Sequence, residues 1–208
     1  MLQYRTVEPD TIRILKELME VEGLQEFYLV GGTALALYYG HRLSVDLDLF
    51  STTKFENESI IKALEKNIKG FAYRNSNNPI GVFGFIDNVK VDLVNYYHHK
   101  MIAEPIVEDG IRLYNLKDIL AMKIAAILKR GVKKDFWDIA ELLQHFTVQD
   151  CIDCYTRKFP TQQLIISIPN AMTYFIDAEE SEEPVSLKGK TWEGIKKFIG
   201  KKVSEYLK

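Results

Sequence analysis

Two aspartates stand two residues apart in an apolar stretch, residues 43–50, whose alternating pattern predicts a β-strand. Side chains two positions apart on a strand share a face, so the carboxylates of Asp46 and Asp48 are expected to lie together. The residues expected to point the other way, into the core, are Val45, Leu47 and Leu49. Two close carboxylates repel each other unless a cation neutralises them, and hard oxygen ligands suit Mg²⁺ or Mn²⁺. The spacing therefore predicts a metal site.

A third carboxylate occurs later, in the run K-V-D-L-V, where Asp92 stands between two apolar neighbours. If its strand lies beside the strand of Asp46 and Asp48, the three carboxylates converge and could hold two metals about 3.5 to 4 Å apart. Asp92 would then also be the best candidate for a general base. The alternative is structural: a D-x-D pair often faces solvent, and a single aspartate can simply accept a backbone hydrogen bond.

A glycine pair, Gly31-Gly32, follows the short apolar run FYLV and precedes Thr33. Glycine permits a tight turn and a close approach of a ligand to the backbone amides. Residues 33–39 are apolar and rich in alanine, which predicts a short buried helix, and the N-terminus of a helix favours an anion. The three residues are thus a candidate phosphate cradle, although a Gly-Gly pair is often just a turn.

The rest of the chain divides into two parts. Before residue 113, helical periodicity over 10–22 and 58–68 alternates with β-rich runs, and Asp87-Asn88 is expected to form the tip of a hairpin. After it, the pattern is helical, with expected helices over 115–131, 135–145, 148–158, 161–176 and 192–207. We therefore predict an α+β protein with a mixed sheet. It would consist of a catalytic domain, 1–113, and a helical domain, 114–208, that closes the cleft.

Basic residues cluster in the first of these later helices. Lys123 is surrounded by alanine and methionine, so its ammonium needs an anion, which could be a triphosphate or one of the protein's own aspartates. Arg130, two turns away on the same face, could meet phosphate or RNA or be solvated. Asp135 begins the next helix as a cap or a site residue, and Asp138 is expected to pair with Lys134.

Arg42 and Ser44 share the strand parity of the two aspartates. Ser44 could therefore hydrogen-bond a phosphate or a water. Arg42 could hold the triphosphate or lower the repulsion between the carboxylates, with solvation at the strand end as the alternative. The histidines show no metal-binding spacing and are expected at the surface, and the acidic run DAEESEEP is expected in solvent. The histidines are His41, His98, His99 and His145.

The composition excludes several classes of protein. The formal net charge of the 208 residues is −2, so any anionic partner must meet a local patch. No apolar run is long enough for a membrane span, and no signal peptide is visible, so a cytoplasmic protein without membrane association is expected. Cys151 and Cys154 have no second pair of soft ligands nearby and are expected to be reduced and partly buried.

The stretch LVGGTALALYYGHRLSVDLDLF, with the later V-D-L, resembles the nucleotidyltransferase pattern of the DNA polymerase beta superfamily. Within that superfamily it is most similar to the AbiEii/AbiGii-type toxins. The resemblance continues in LKDILAMKIAAILKRGVKKDFWDIAELL and in AMTYFIDAEESEEPVSLKGKTWEGIKKFI, so it spans most of the chain.

The resemblance implies a minimal nucleotidyltransferase fold and Mg²⁺-dependent transfer of a nucleotide from an NTP to an acceptor hydroxyl. By that resemblance, Gly31, Gly32 and Thr33 would hold phosphates, whereas Asp46 and Asp48, with Asp92 as the third carboxylate, would bind metal. Some members act on tRNA and are countered by an antitoxin, which makes both candidate partners. The alternative is a module that binds Mg²⁺–NTP without turnover.

Overall fold

The computed structural model describes all 208 residues as an α+β fold built on one mixed sheet of seven strands. The sheet order is β3-β4-β5-β2-β1-β7-β6. The strands are β1 (Phe27–Leu29), β2 (Leu47–Ser51), β3 (Phe71–Tyr73), β4 (Gly81–Ile86), β5 (Val89–Asn95), β6 (Ile106–Glu108) and β7 (Ile111–Leu113). The helices that alternate with them are α1 (Pro9–Glu20), α2 (Gly31–Tyr39) and α3 (Asn57–Asn67).

Every strand precedes residue 114, and the chain is helical from there on. The later helices are α4 (Leu116–Lys129), α5 (Lys133–Leu142), α6 (Val148–Lys158), α7 (Ile168–Thr173) and α8 (Trp192–Tyr206). Asn115 caps α4 by accepting a hydrogen bond from the amide of Lys117, as its side-chain chemistry predicts. A single cluster of 52 buried residues continues through both parts of the chain. Each helix is too short or too polar to cross a lipid bilayer.

The centre of the sheet sets the positions of the aspartates. β2 pairs with β5 in parallel, and the register places Asp48 opposite Asp92. β4 and β5 form the expected antiparallel hairpin, with Asp87 at its tip in the left-handed region at φ 51°. Because facing residues of a sheet share a side, the carboxylates of Asp48 and Asp92 lie on one face.

The expected strand over residues 43–50 was too long at its N-terminal end. β2 begins at Leu47, and Val45, which was expected in the core, is 57% exposed. The residues before β2 make isolated bridges instead: Ser44 pairs with Val7, and Arg42 pairs with Ser186. Strand periodicity alone cannot show this, because the partners come from the two ends of the chain.

One other expectation about the elements was wrong, and two short strands were missed. The helix expected over 161–176 is only α7, because Pro169 lacks an amide hydrogen and fits only the first turn, where Ser167 caps the helix. The short strands β6, at the edge of the sheet, and β7, beside it, were not anticipated, since three residues carry too little periodicity to be recognised. Cys151 and Cys154 lie reduced and buried on α6, as expected.

Candidate active site

A cleft of about 750 Å³ lies between the first half of the sheet and the helices α4 and α5. The cleft is lined by ten of the site residues that the sequence analysis named. They are Gly31, Gly32, Thr33, Arg42, Ser44, Asp46, Asp48, Lys123, Arg130 and Asp135. Asp92 does not line the cleft and lies one strand further, beside Asp48. The arrangement gathers residues from α2, β2, α4 and α5 around one opening.

The glycine pair begins α2, and each glycine has a packing reason. Gly31 adopts a left-handed φ of +71°, and a Cβ there would lie 2.6 Å from Oδ2 of Asp48. A Cβ on Gly32 would lie 2.1 Å from Nη2 of Arg42. The residue before the helix, Val30, offers no capping side chain. The first amides of α2 therefore have no intrahelical acceptor and stand at the wall of the cleft, as an anion site requires.

Thr33 does not present a free hydroxyl to the cleft. Its side chain is buried, donates to the backbone carbonyl of Asp46, and lies 2.9 Å from the hydroxyl of Ser44. These contacts tie the start of α2 to the segment that precedes β2. Thr33 and Ser44 thus hold the backbone that carries Asp46.

The three carboxylates differ in their surroundings. Asp46 and Asp48 are half-buried, whereas Asp92 is buried. Burial, and then the charge of Asp92, raise the pKa of Asp48. Asp92 accepts a hydrogen bond from Lys90 through Oδ2, while its Oδ1 is buried without any partner. Negative charge is therefore concentrated on this face of the sheet and only partly compensated.

As the side chains stand, no group of three or more His, Cys, Asp or Glu residues is placed to hold a metal ion. The donors nevertheless fit a hard divalent cation. The unpartnered Oδ1 of Asp92 and the raised pKa of Asp48 both mark oxygens that a cation would satisfy. Asp46, at the mouth of the cleft, adds a third carboxylate, with the ammonium of Lys134 3.9 Å from its Oδ2.

Asp138 on α5 is the centre of a buried ion network behind the cleft. Arg42 donates to it through Nε at 2.7 Å and Nη2 at 2.9 Å, and Nε2 of His41 lies 2.8 Å from Oδ1. The expected Asp138–Lys134 pair was wrong, and so was the surface position of His41, which is 1% exposed. A buried carboxylate needs donors, and these two residues supply them at the end of α2.

The network changes how Arg42 and Lys123 are to be interpreted. Arg42 is engaged by Asp138 and forms no ion pair with Asp46 or Asp48, although the charge of Asp46 also acts on it. Nζ of Lys123 lies 2.8 Å from Oδ1 of Asp135 and 2.6 Å from Oδ2 of Asp138, so the protein's own aspartates already balance this lysine. Burial alone would raise the pKa of Asp138, but Arg42 and Lys123 hold it well below its usual value. Nε of Arg130 lies 3.8 Å from Oδ2 of Asp135.

Sequence reasoning missed one wall of the cleft. Residues 181–185 lie along it, and the amide of Leu43 donates to the carbonyl of Val185. The acidic run was expected in solvent. That is correct for the side chains of Glu182 and Glu183, which are exposed, but not for the backbone. No local sequence pattern predicts this hydrogen bond, because Leu43 and Val185 are more than a hundred residues apart in the sequence.

The geometry agrees with the comparison to known proteins. A model of the nucleotidyl transferase AbiEii toxin family, described as a type IV toxin–antitoxin system, matches residues 13–186. The chain belongs to the AbiEii toxin family. An uncharacterised protein of Aquifex aeolicus (strain VF5) is 30% identical to this AbiEii chain over 211 residues, covering 98% of both.

Solved structures show the same fold at low identity. MenT4, a nucleotidyltransferase toxin of Mycobacterium tuberculosis, superposes with a TM-score of 0.60 at 12% identity, covering 92% of this chain and 81% of MenT4. JHP933 from Helicobacter pylori gives a TM-score of 0.51 at 16% identity, covering 97% and 96%. The AbiEii chain therefore has the fold of nucleotidyltransferase toxins.

Proposed function

We propose that this AbiEii chain transfers a nucleotide from an NTP to an acceptor hydroxyl with the help of Mg²⁺. One observation carries the proposal. The parallel register of β2 and β5 sets Asp48 beside Asp92, directly below the uncapped N-terminus of α2. A carboxylate for a cation, Asp48, and amides for a phosphate thus meet at the wall of one cleft, and Asp92 lies one strand behind Asp48.

The triphosphate binds at the start of α2. The amides of residues 31–33 face its phosphates, while Lys134 and Arg130 at the opposite wall supply positive charge. Lys123 also lines the cleft, and it is buried, with its ammonium held by Asp135 and Asp138. A preorganised lysine costs little to orient when the anion arrives.

In the reaction, the acceptor oxygen attacks the α-phosphorus and forms a new P–O bond. The bond from the α-phosphorus to the bridging oxygen breaks, and pyrophosphate leaves with the electron pair. Asp92 takes the hydroxyl proton as general base. Asp46, Asp48 and Asp92 would hold a divalent cation, which would supply charge neutralisation at the triphosphate and a lower pKa for the attacking hydroxyl.

The biological role that follows from this chemistry is the arrest of growth. The AbiEii family description names a type IV toxin–antitoxin system, so we propose that the chain acts as the toxin of such a system or of a phage-abortive one, opposed by an antitoxin. A tRNA with a free terminal hydroxyl is the proposed acceptor.

A transfer assay tests the proposal. The chain is incubated with each α-labelled NTP, Mg²⁺ and total RNA or protein, and label on the acceptor is expected only with Mg²⁺ present. Asp46→Asn and Asp48→Asn are expected to lower transfer by at least about a hundredfold, because they remove charge where the cation binds. Asp153→Asn, an exposed carboxylate on α6, is the matched control and should retain full transfer. Label that never reaches any acceptor contradicts the proposal.

One observation favours a second function, a module that binds Mg²⁺–NTP without turnover. Lys90 already pairs with Asp92, the candidate general base. Calorimetry with Mg²⁺–NTP separates the two functions when it is read with the transfer assay. A pure binding module takes up nucleotide, loses it in Asp48→Asn, and transfers none. Expression in a host then tests toxicity: growth arrest by the wild type but not by Asp48→Asn is expected only of the enzyme.

A further inference from the structure

The face of the sheet that carries the three aspartates also carries one lysine. Residues 90 and 92 lie two apart on β5, so their side chains share a face. The β2–β5 register pairs Leu47 with Val91 and Asp48 with Asp92. Asp46 comes one residue before β2 begins, and its charge also acts on Lys90. Three carboxylates and a single ammonium therefore influence one another at this edge of the paired region.

The ammonium of Lys90 lies in a region of negative charge. It donates to Oδ2 of Asp92, and the charges of Asp48 and Asp46 also act on it. The stem of Lys90 is half-buried, with 42% of its side chain exposed, so the ammonium can swing into water. Oδ1 of Asp92, in contrast, is buried and has no partner. A buried carboxylate oxygen left without a donor is uncommon and points to a missing cation.

We propose that Lys90 is an internal counter-cation that competes with a divalent metal for Asp92. In the metal-free chain the ammonium holds Asp92 in place and offsets the repulsion between the carboxylates. When the metal binds, Lys90 leaves Asp92 and turns towards solvent. Lys90 is thus a positioning residue that sets the metal concentration at which the site becomes complete. The inference rests on the proposed function, because it assigns Asp92 to the metal.

The direction of the effect follows from charge alone. A divalent cation placed beside an ammonium is repelled, and it must also displace that ammonium from a carboxylate. Removing the ammonium leaves Asp92 without its counter-charge beside Asp48 and Asp46, which favours the metal. We therefore expect Lys90→Met to bind Mn²⁺ about tenfold more tightly than the wild type.

Calorimetric titration with Mn²⁺ in the absence of nucleotide tests this expectation. Lys66→Met is the matched control, because Lys66 is exposed in the last turn of α3 and forms no ion pair; its affinity should equal that of the wild type. The gain from Lys90→Met should disappear in the Asp92→Asn background, where there is no carboxylate to compete for. The inference is overturned if Lys90→Met binds Mn²⁺ no more tightly than the wild type. It is also overturned if Lys90→Met still increases the Mn²⁺ affinity in the Asp92→Asn background.

A measurement on the wild-type chain guards against a variant that fails to fold. An amine-reactive ester acetylates lysines at a rate that depends on how free each ammonium is, and mass spectrometry follows each site. Mn²⁺ is expected to speed acetylation of Lys90 several-fold while leaving Lys66 unchanged. Equal rates with and without Mn²⁺, under conditions where calorimetry shows binding, contradict the displacement of Lys90.

The outcomes separate this inference from the proposed function. If Lys90→Met binds Mn²⁺ more tightly but the wild type transfers no nucleotide, Lys90 competes with the metal and the proposed transferase activity is rejected. Transfer by the wild type with equal Mn²⁺ affinity in Lys90→Met supports the enzyme and rejects competition. A wild-type chain that neither binds Mn²⁺ nor transfers a nucleotide overturns both.

Discussion

At the scale of single residues, the glycine pair does more than allow a turn. Gly31 leaves room for the carboxylate of Asp48, and Gly32 leaves room for the guanidinium of Arg42. The proposed phosphate site, the proposed metal site and the ion network behind them thus touch within two residues. Asp48 and Arg42 can occupy their observed positions only because residues 31 and 32 have no side chain.

Gly32→Ala is expected to destabilise the protein by about 2 to 3 kcal/mol, because it pushes on a buried, hydrogen-bonded ion pair. The new Cβ would lie 2.1 Å from Nη2 of Arg42, and Arg42 is held by Asp138, so the guanidinium has no easy way to move. Urea unfolding measures the loss.

Gly200→Ala is the control for that substitution. Gly200 lies in α8 with open space around its Cα, so alanine there should stabilise the chain by about 0.5 to 1 kcal/mol. Equal effects of the two substitutions would show that the close approach of Arg42 to Gly32 is not a constraint.

At the scale of elements, α5 connects the two parts of the site. Asp138 on α5 binds the end of α2 through His41 and Arg42, and it binds α4 through Lys123. The same helix begins with Lys134 and Asp135 at the cleft. A shift of α5 would therefore move the network and the cleft wall together.

Asp138→Asn should cost about 3 to 5 kcal/mol near neutral pH, because it leaves Arg42 and Lys123 buried with less negative charge. The pKa of Asp138 is lowered in the folded chain, so its contribution is present above the ordinary value of 3.8 and is lost as the pH falls towards the folded value. The difference between wild type and variant should therefore shrink below pH 3.8.

Urea unfolding between neutral and acidic pH measures that difference. The exposed Asp153→Asn variant should follow the wild-type curve throughout. A wild-type advantage that stays constant at the lowest pH values would mean that Asp138 does not gain its charge-dependent stability from this network.

At the scale of the whole molecule, the division near residue 113 is a change in the type of secondary structure. Strands end there and helices take over, yet one buried cluster and the contacts of Asp138 cross the division. We propose that the regions 1–113 and 114–208 are parts of a single folding unit rather than independent domains.

A single cooperative unfolding transition is expected for that reason. Both tryptophans, Trp137 and Trp192, lie in the helical part, so their fluorescence reports on it alone, whereas far-ultraviolet circular dichroism reports on the whole chain. The two urea curves should coincide. Two separated midpoints, or a fragment 114–208 that folds by itself, would show independent domains.

The sequence determined the elements whose pattern is local. Alternation placed Asp46 and Asp48 together, the run around Asp92 indicated a third carboxylate, and the Asp87-Asn88 turn predicted the hairpin that orients it. Helix boundaries near Asn115 and Gly40 likewise follow from caps that neighbouring residues supply. Each of these signals acts over a few residues, which is why it can be read from the sequence alone.

Only the tertiary structure decided which charges meet. Arg42 and Lys123 looked like phosphate ligands, but Asp138 engages both, and Lys90 came to lie against Asp92 through a strand register. Residues 185–187 were brought beside His41–Leu43 from the far end of the chain. Coulomb attraction and hydrogen bonding depend on distance in space, and sequence separation carries no information about that distance until the chain has folded.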